Sequence, residues 1–253
     1  MVAAVNVLGV GVSAVNAASA AAEIRRWLDE REPHYVCVSG VHGVMECQRD
    51  PSLKSIHNRA GLVLPDGMPL AWWVRGAGHR EADRVCGPEF MPYLLRSLKG
   101  RRHFFYGASP ETLEKLVAWV QKDYPDAIIA GSHSPPFRRL TPEEEDGIVA
   151  QINASDADIV WVGLSTPKQE RWMAANTHRL KAGALIGVGA AFDMHAGNVK
   201  RAPKFLRRTG FEWTYRLVLE PKRLWRRYLT NNPAFVLLAA AQITRIANFP
   251  AHR

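Results

Sequence analysis

Ile159-Val160-Trp161-Val162-Gly163-Leu164-Ser165-Thr166-Pro167-Lys168-Gln169-Glu170-Arg171-Trp172-Met173-Ala174-Ala175-Asn176 is the stretch from which the fold can be read. Its first five residues form a short run rich in β-branched and aromatic side chains, which predicts a buried strand, and Pro167-Lys168-Gln169-Glu170 opens a helix directly after it. A strand that feeds straight into a helix is half of the βαβ unit of a parallel sheet. Working outward, the pattern recurs. Strands are expected over Val5 to Val10, Tyr35 to Ser39, Leu62 to Leu64, His103 to Tyr106, Ala127 to Ala130 and Ala184 to Val188. Helices are expected over Ala17 to Leu28, Met91 to Leu98, Pro110 to Lys122, Thr141 to Asn153 and Lys168 to Asn176. Thr141-Pro142-Glu143-Glu144 is a strong helix start, with Thr as N-cap, Pro at the first position and Glu in the first turn. The fold class this predicts is α/β, a Rossmann-like, mostly parallel sheet flanked by helices, with a basic helical C-terminal appendage.

Length and composition fit that reading. A chain of 253 residues with 47% hydrophobic content can bury a large core. Charge is unevenly spread: from Val199 to Arg253 twelve Lys and Arg face only Glu212 and Glu220, whereas the first 198 residues hold 21 basic and 22 acidic side chains. The formal net charge of +9 therefore belongs to the tail, and the expected division is an α/β catalytic domain over 1–198 and a basic, aromatic-rich helical tail over 199–253. Cys37, Cys47 and Cys86 are odd in number and lack metal-ligand spacing, which predicts buried thiols in a reducing compartment and no structural zinc. The Ala/Val-rich N-terminus lacks the basic n-region of a signal peptide. The longest apolar run, Ala234 to Ala241, falls far short of the roughly 20 residues of a transmembrane span.

Several motifs compete for the chemistry. Gly9-Val10-Gly11-Val12-Ser13-Ala14 matches a dinucleotide fingerprint, but no acidic residue closes the second strand, where Ser39-Gly40-Val41 stands instead. A tight βα turn explains it equally. No GxxxxGK[ST] loop occurs. Asp156-Ala157-Asp158 looks like a metal-holding DxD, yet its place just before the strand at Ile159 suits a solvated loop. Asp66, at the end of Leu62-Val63-Leu64-Pro65, has two readings: a carboxylate delivered for chemistry, or an N-cap for the helix opened by Gly67-Met68-Pro69. The other strand ends carry Ser39, Gly107, Thr166 to Glu170, and Gly187 to Asp193, and in an open parallel sheet such loops line one crevice. There the amides of Pro167-Lys168-Gln169-Glu170 suit a phosphate, Gln169 a base or sugar, and Asp193 serves as an acceptor.

With these residues in hand, the chain resembles the WecG/TagA/CpsF glycosyltransferases. The matching elements are Pro65-Asp66-Gly67, Arg84-Val85-Cys86-Gly87-Pro88, Tyr106-Gly107-Ala108, Val162 to Glu170, Gly187 to Asp193, Ala196 to Pro203, and Glu212-Trp213-Thr214-Tyr215-Arg216, in order over nearly the whole chain. The resemblance implies an inverting transferase that moves a sugar of N-acetylmannosamine, glucose or related type from a UDP-sugar donor to a polyprenyl-diphosphate-linked sugar acceptor. The product would enter exopolysaccharide, surface-antigen or teichoic-acid-type polymers, and the enzyme would be cytoplasmic, held peripherally at the inner face of the cytoplasmic membrane. It places the general base on Asp66, with Ser39 beside it, and donor binding on Gly107, Lys168, Gln169, Glu170, Gly187, Gly189 and Asp193. Many members carry Thr-Pro-Asn where this chain has Ser39-Gly40-Val41, so a hydroxyl is kept and an amide lost, with His42 a stand-in.

Without a convincing DxD, departing charge falls to cationic side chains, and metal-independent catalysis without a cofactor is expected. In the tail, Pro221 is expected to divide two short helices, with Arg216, Arg223 and Arg226 converging on the acceptor diphosphate and Arg227 a fourth candidate. Trp213, Leu217, Leu224 and Tyr228 form an apolar stripe beside them, and Phe235 to Ile246 adds an amphipathic segment after Asn231-Asn232-Pro233. This predicts attachment to an anionic membrane surface. Binding of nucleic acid would explain the charge but no binding motif accompanies it, so none is expected, and a Rossmann oxidoreductase would explain only the first turn. The sequence leaves a homo-oligomer open.

Overall fold

A computed structural model describes residues 2–251, the side chains of Lys204, Arg208 and Arg223 excepted. Strands β1 (Ala4–Val7), β2 (Val10–Ser13), β3 (His34–Ser39), β4 (Leu62–Pro65), β5 (Arg102–Gly107), β6 (Ile128–His133), β7 (Ile159–Gly163) and β8 (Ala184–Gly187) alternate with helices as expected. The first nine helices are α1 (Ala17–Glu30), α2 (Val41–Arg49), α3 (Pro51–Arg59), α4 (Met68–Gly76), α5 (Gly87–Ser97), α6 (Pro110–Asp123), α7 (Pro142–Ala154), α8 (Lys168–Asn176) and α9 (Ala191–His195). Three more, α10 (Lys204–Arg208), α11 (Glu212–Leu219) and α12 (Pro221–Ile243), close the chain. The main sheet runs β4-β3-β8-β7-β5-β6, confirming the α/β class. The chain forms two compact units: residues 1–16, 38–86 and 201–253 make the first, and 17–37 with 87–200 the second.

In the second unit the pairs β3–β8, β8–β7, β7–β5 and β5–β6 are all parallel. Helices cover both faces of such a sheet, so its strands read as continuous apolar runs rather than alternating ones. Phe104, Phe105, Tyr106, Val160, Trp161, Val162, Leu185 and Ile186 are accordingly all buried. The Trp161 indole donates to Nδ1 of the buried His103 at 3.1 Å. The capping box at Thr141 forms as expected, with Thr141 and Glu144 exchanging side-chain-to-backbone bonds. Strand β6 is the edge, and its register slips opposite Phe104, whose ring lies where a Cβ on Gly131 would come within 2.8 Å. Asp158 holds the sheet: its carboxylate accepts from the Arg102 amide at 2.7 Å. That use favours the loop reading of Asp156-Ala157-Asp158, and among the described residues no cluster of three or more acidic, His or Cys side chains is fit to hold a metal.

The first unit corrects two expectations. Val5 to Val10 is not one strand but the hairpin β1–β2, turned at Leu8 and Gly9 with Ala4 opposite Ser13. The fingerprint Gly9 to Ala14 therefore lies in the hairpin's turn and second strand, and α1 opens only at Ala17, so its glycines do not form the strand-to-helix turn that receives a pyrophosphate and the dinucleotide reading loses its mechanism. Gly9 and Gly11 instead meet Asn58, which donates to the Gly9 carbonyl and accepts from the Gly11 amide, each at 2.9 Å. Second, Asn231-Asn232-Pro233 does not break the tail: α12 runs through Pro233. One missing N–H is tolerated because the helix is held from the side, with Leu224, Asn231, Phe235 and Ala239 buried along one face. Its end clasps the hairpin, where Gln242 accepts from the Leu8 amide at 2.8 Å and donates to the Asn6 carbonyl at 3.0 Å.

Candidate active site

In the first unit, β4 is buried at all four residues, and Asp66 follows its last residue, Pro65. The Asp66 amide donates to the Ser39 carbonyl at 3.0 Å, which ties the ends of β4 and β3 together. The capping reading is not realised, since the N-cap of α4 is Gly67, at φ 108° and without a side chain to offer. Asp66 therefore stands one residue ahead of the helix, on a fixed backbone.

Ser39 is buried, and its Oγ lies 3.3 Å from Nε2 of the buried His57. Nδ1 of that ring lies 3.0 Å from the Leu53 carbonyl, which can only accept. Nδ1 also lies 3.3 Å from Cys47 Sγ; in the neutral tautomer that donates from Nδ1 to Leu53, Nε2 accepts and the Ser39 hydroxyl donates inward. Gly43 makes room for this contact: a Cβ there would sit 2.1 Å from the Ser39 oxygen. His57 went unnoticed in the sequence because nothing marks it off from the other eight histidines.

His42 was the stand-in for the amide lost at Val41, but it turns to the tail. Asn231 Nδ2 donates to His42 Nδ1 at 3.0 Å, and Arg49 donates to Asn231 Oδ1 at 2.6 Å. Burial, with the charges of Arg227 and Arg49, pushes the His42 imidazole down to about 4, so it is neutral and its proton sits on Nε2. One turn before Asn231 lies Tyr228, its ring 5.6 Å from that of Trp213. Burial pushes the Tyr228 phenol up, the cations of Arg216 and Arg227 pull it down, and the carboxylates of Asp66 and Glu212 push it up again. Four charged side chains, the base candidate among them, thus act on one hydroxyl.

The tail arginines separate accordingly. Arg216 is half-buried, and its Nε has no hydrogen-bond partner among the described residues. Arg226 is exposed, with its guanidinium 5.2 Å from the Trp225 ring centroid. The Arg223 side chain lies outside those described. Arg227, the fourth candidate, is exposed and acts with Arg216 on the Tyr228 phenol. Helix α11 is itself anchored by Arg84, 8% exposed, which pairs with Glu212 at 2.9 Å and donates to Cys86 Sγ at 2.9 Å.

The second unit gathers the donor-side residues. Gly107, at φ 119°, lets β5 meet β7 so closely that a Cβ would come 2.6 Å from the Gly163 carbonyl oxygen. Lys168 is exposed at the start of α8. Gln169 is buried, its Oε1 accepting from the Gly189 amide at 3.1 Å and its Nε2 donating to Glu170 Oε1 at 3.0 Å. Gly187 is its floor, where a Cβ would come within 3.1 Å of Nε2. Asp193 is half-exposed, and its carbonyl accepts from the amides of Asn198 at 2.8 Å and Val199 at 3.2 Å.

Comparison with known proteins identifies the family. The family model described as "Glycosyl transferase WecG/TagA/CpsF family" matches residues 5–248. An N-acetylglucosaminyldiphosphoundecaprenol N-acetyl-beta-D-mannosaminyltransferase of Bacillus spizizenii is 32% identical over 206 residues, 81% of this chain and 78% of the relative. A protein of the same description from Bacillus subtilis is 32% identical over 184 residues, 72% of this chain and 70% of the relative.

The two shifted histidines set a pH dependence. Burial also pushes His103 down to about 4. Unfolded, both rings take up protons near the ordinary value of 6.5, so below it the unfolded state binds more protons and stability falls with pH. Full stability is present above 6.5 and is lost progressively toward 4, at about 1.4 kcal/mol per pH unit for each histidine. Urea unfolding between pH 7 and 5 is expected to show this loss, with a slope one proton smaller in His42→Gln; an unchanged slope contradicts the neutral, buried His42.

Proposed function

The chain belongs to the WecG/TagA/CpsF glycosyl transferase family and is a glycosyltransferase, and from that premise we propose that it moves a sugar from a UDP donor to a polyprenyl-diphosphate-linked sugar, with inversion and with Asp66 as general base. The observation that carries this reading is the setting of Asp66: it is fixed through its backbone to Ser39, does not serve as the N-cap, and acts on Tyr228 together with Arg216 and Arg227. A base among cations suits an acceptor that presents a hydroxyl beside a diphosphate.

In this mechanism the acceptor hydroxyl attacks C1 of the donor sugar from the face opposite the UDP. Its proton passes to the Asp66 carboxylate as the C1–O bond forms and the bond to UDP breaks. Arg216, whose Nε is unbonded among the described residues, and Arg227 hold the acceptor diphosphate, with Arg226 and Arg223 extending the same basic stretch. Ser39 is a positioning residue: its carbonyl holds the Asp66 amide and its hydroxyl is anchored by His57. The second unit takes the UDP moiety at Gly107, the Lys168 to Glu170 turn, Gly187, Gly189 and Asp193. The names of the relatives support a donor sugar of the N-acetylmannosamine type and an acceptor resembling N-acetylglucosaminyl-diphosphoundecaprenol. Charge on the leaving UDP is met by side chains rather than by a metal. Asp66→Asn is expected to lower turnover by roughly 10²–10⁴-fold while UDP binding by calorimetry stays near wild type. Wild-type turnover should persist in EDTA. Near-normal turnover of the variant, or loss in EDTA restored by Mg²⁺ or Mn²⁺, contradicts the mechanism.

The tail supports a membrane-surface enzyme. On α12 the face opposite the buried one exposes Trp225, Leu229, Val236, Leu237 and Ile243, while Val218 and Leu219 are exposed on α11. Lys222, Arg226 and Arg227 are exposed beside them. An apolar stripe flanked by cations lies in the headgroup region of an anionic leaflet, each cation contributing about 1 kcal/mol. No helix among the described residues is long and apolar enough to cross the bilayer. Truncating the tail would strip Asn231 and Gln242 from the body of the first unit, so the test uses exposed positions. Val236→Glu with Leu237→Glu, at sites 64% and 71% exposed, is expected to abolish flotation with anionic liposomes while circular dichroism is unchanged. Flotation equal to wild type contradicts the membrane reading.

A further inference from the structure

Glu170 is the least explained residue of the second unit. It is 1% exposed. Its Oε1 accepts from Thr166 Oγ1 at 2.8 Å and from Gln169 Nε2 at 3.0 Å, whereas its Oε2 is buried and has no hydrogen-bond partner among the described residues. A buried acceptor without a donor costs free energy, and native structures leave few. Glu170 lies in the first turn of α8, directly past the carboxyl end of β7, where open α/β sheets take their ligands.

Its neighbours narrow what the missing donor is. The Gln169 amide is spent, with Oε1 on the Gly189 amide and Nε2 on Glu170 itself. A phosphate does not fit this turn: Pro167 has no N–H, the Gln169 amide already bonds the Ser165 carbonyl at 3.1 Å, and a carboxylate repels an anion. What suits Oε2 is a neutral donor on the non-phosphate part of a nucleotide, and a ribose offers two adjacent hydroxyls.

We propose that Glu170 Oε2 accepts a hydrogen bond from a ribose hydroxyl of the donor nucleotide, so that this carboxylate distinguishes a ribonucleotide from its deoxy analogue. The inference rests on the UDP-sugar reading. Gln169 is then a positioning residue that joins Glu170 to the Gly187–Gly189 turn, and Glu170 is the group that touches the ligand.

Calorimetry with UDP, 2′-deoxy-UDP, 3′-deoxy-UDP and 3-methyluridine diphosphate tests it on the wild type, Glu170→Gln and Glu170→Asp, with melting curves to confirm folding. One deoxy analogue is expected to bind the wild type roughly ten- to a hundredfold more weakly than UDP, the range of a hydrogen bond to a charged group. In Glu170→Gln, UDP should weaken by a similar factor and the deoxy penalty should vanish. Glu170→Asp, which keeps the charge but shortens the reach, should lose most of the penalty if the amide variant does not fold. Equal wild-type binding of UDP and both deoxy analogues overturns the assignment, as does a penalty that persists in the folded variants or appears only with the methylated base. Those outcomes leave the UDP donor standing, whereas failure of UDP to bind the wild type overturns the donor reading and the assignment together.

Discussion

The backbone contact between Gly40 and Asp66 is the constraint on which the proposed acceptor chemistry depends. The Asp66 amide bonds the Ser39 carbonyl, and the next residue approaches so closely that a Cβ on Gly40 would stand 2.6 Å from the Asp66 carbonyl oxygen. No side chain fits there without moving one strand end. Gly43, one turn on, provides the second clearance, through which Ser39 reaches His57. Two glycines thus allow the backbone of Asp66 to be held ahead of the N-cap of α4, which is Gly67.

Helix α12 answers to two solvents. Its inner face carries Leu224, Tyr228, Asn231, Phe235 and Gln242, of which Asn231 bridges Arg49 and His42, and Gln242 bonds the Leu8 amide and the Asn6 carbonyl of the hairpin. A neutral His42 is the condition for the Asn231 bridge, because a protonated ring has no acceptor to offer. Burial, and after it the cations of Arg227 and Arg49, hold it in that state. The same helix is therefore held to the first unit through Asn231 and Gln242 and turns its apolar side outward. Stability of the inner face and availability of the outer face are separate properties, set by different residues.

Much of the fold was legible in the sequence, because the parallel strands are continuous apolar runs bounded by Gly, Pro and capping residues: β7 and α8 fall where their residues predict. The hairpin was not, since Val5 to Val10 reads as one strand unless Gly9 is recognised as a turn at φ 82°. The tail was misdivided at Asn231-Asn232-Pro233, where turn composition was overridden by long-range bonds to Arg49 and His42. For the site, Asp66 and the glycine turns carried a local signal. His57 and Asn231 carried none, because their partners Ser39 and His42 lie 18 and 189 residues away, whereas Arg227 was read as a fourth candidate from the basic stretch. Ser39 was noticed for its hydroxyl, yet the structure commits that proton to His57.

The account rests on a single displacement at C1 with one carboxylate as base, and the anomeric configuration of the product tests this most directly. The measurement is the C1–H1 coupling constant, by NMR, of the sugar transferred from an α-linked UDP-N-acetylhexosamine onto a soluble lipid-diphosphate acceptor. The account predicts a β-linked product, with configuration inverted. An α-linked product would require a second displacement, or a mechanism in which Asp66 is not the sole base, and would contradict it.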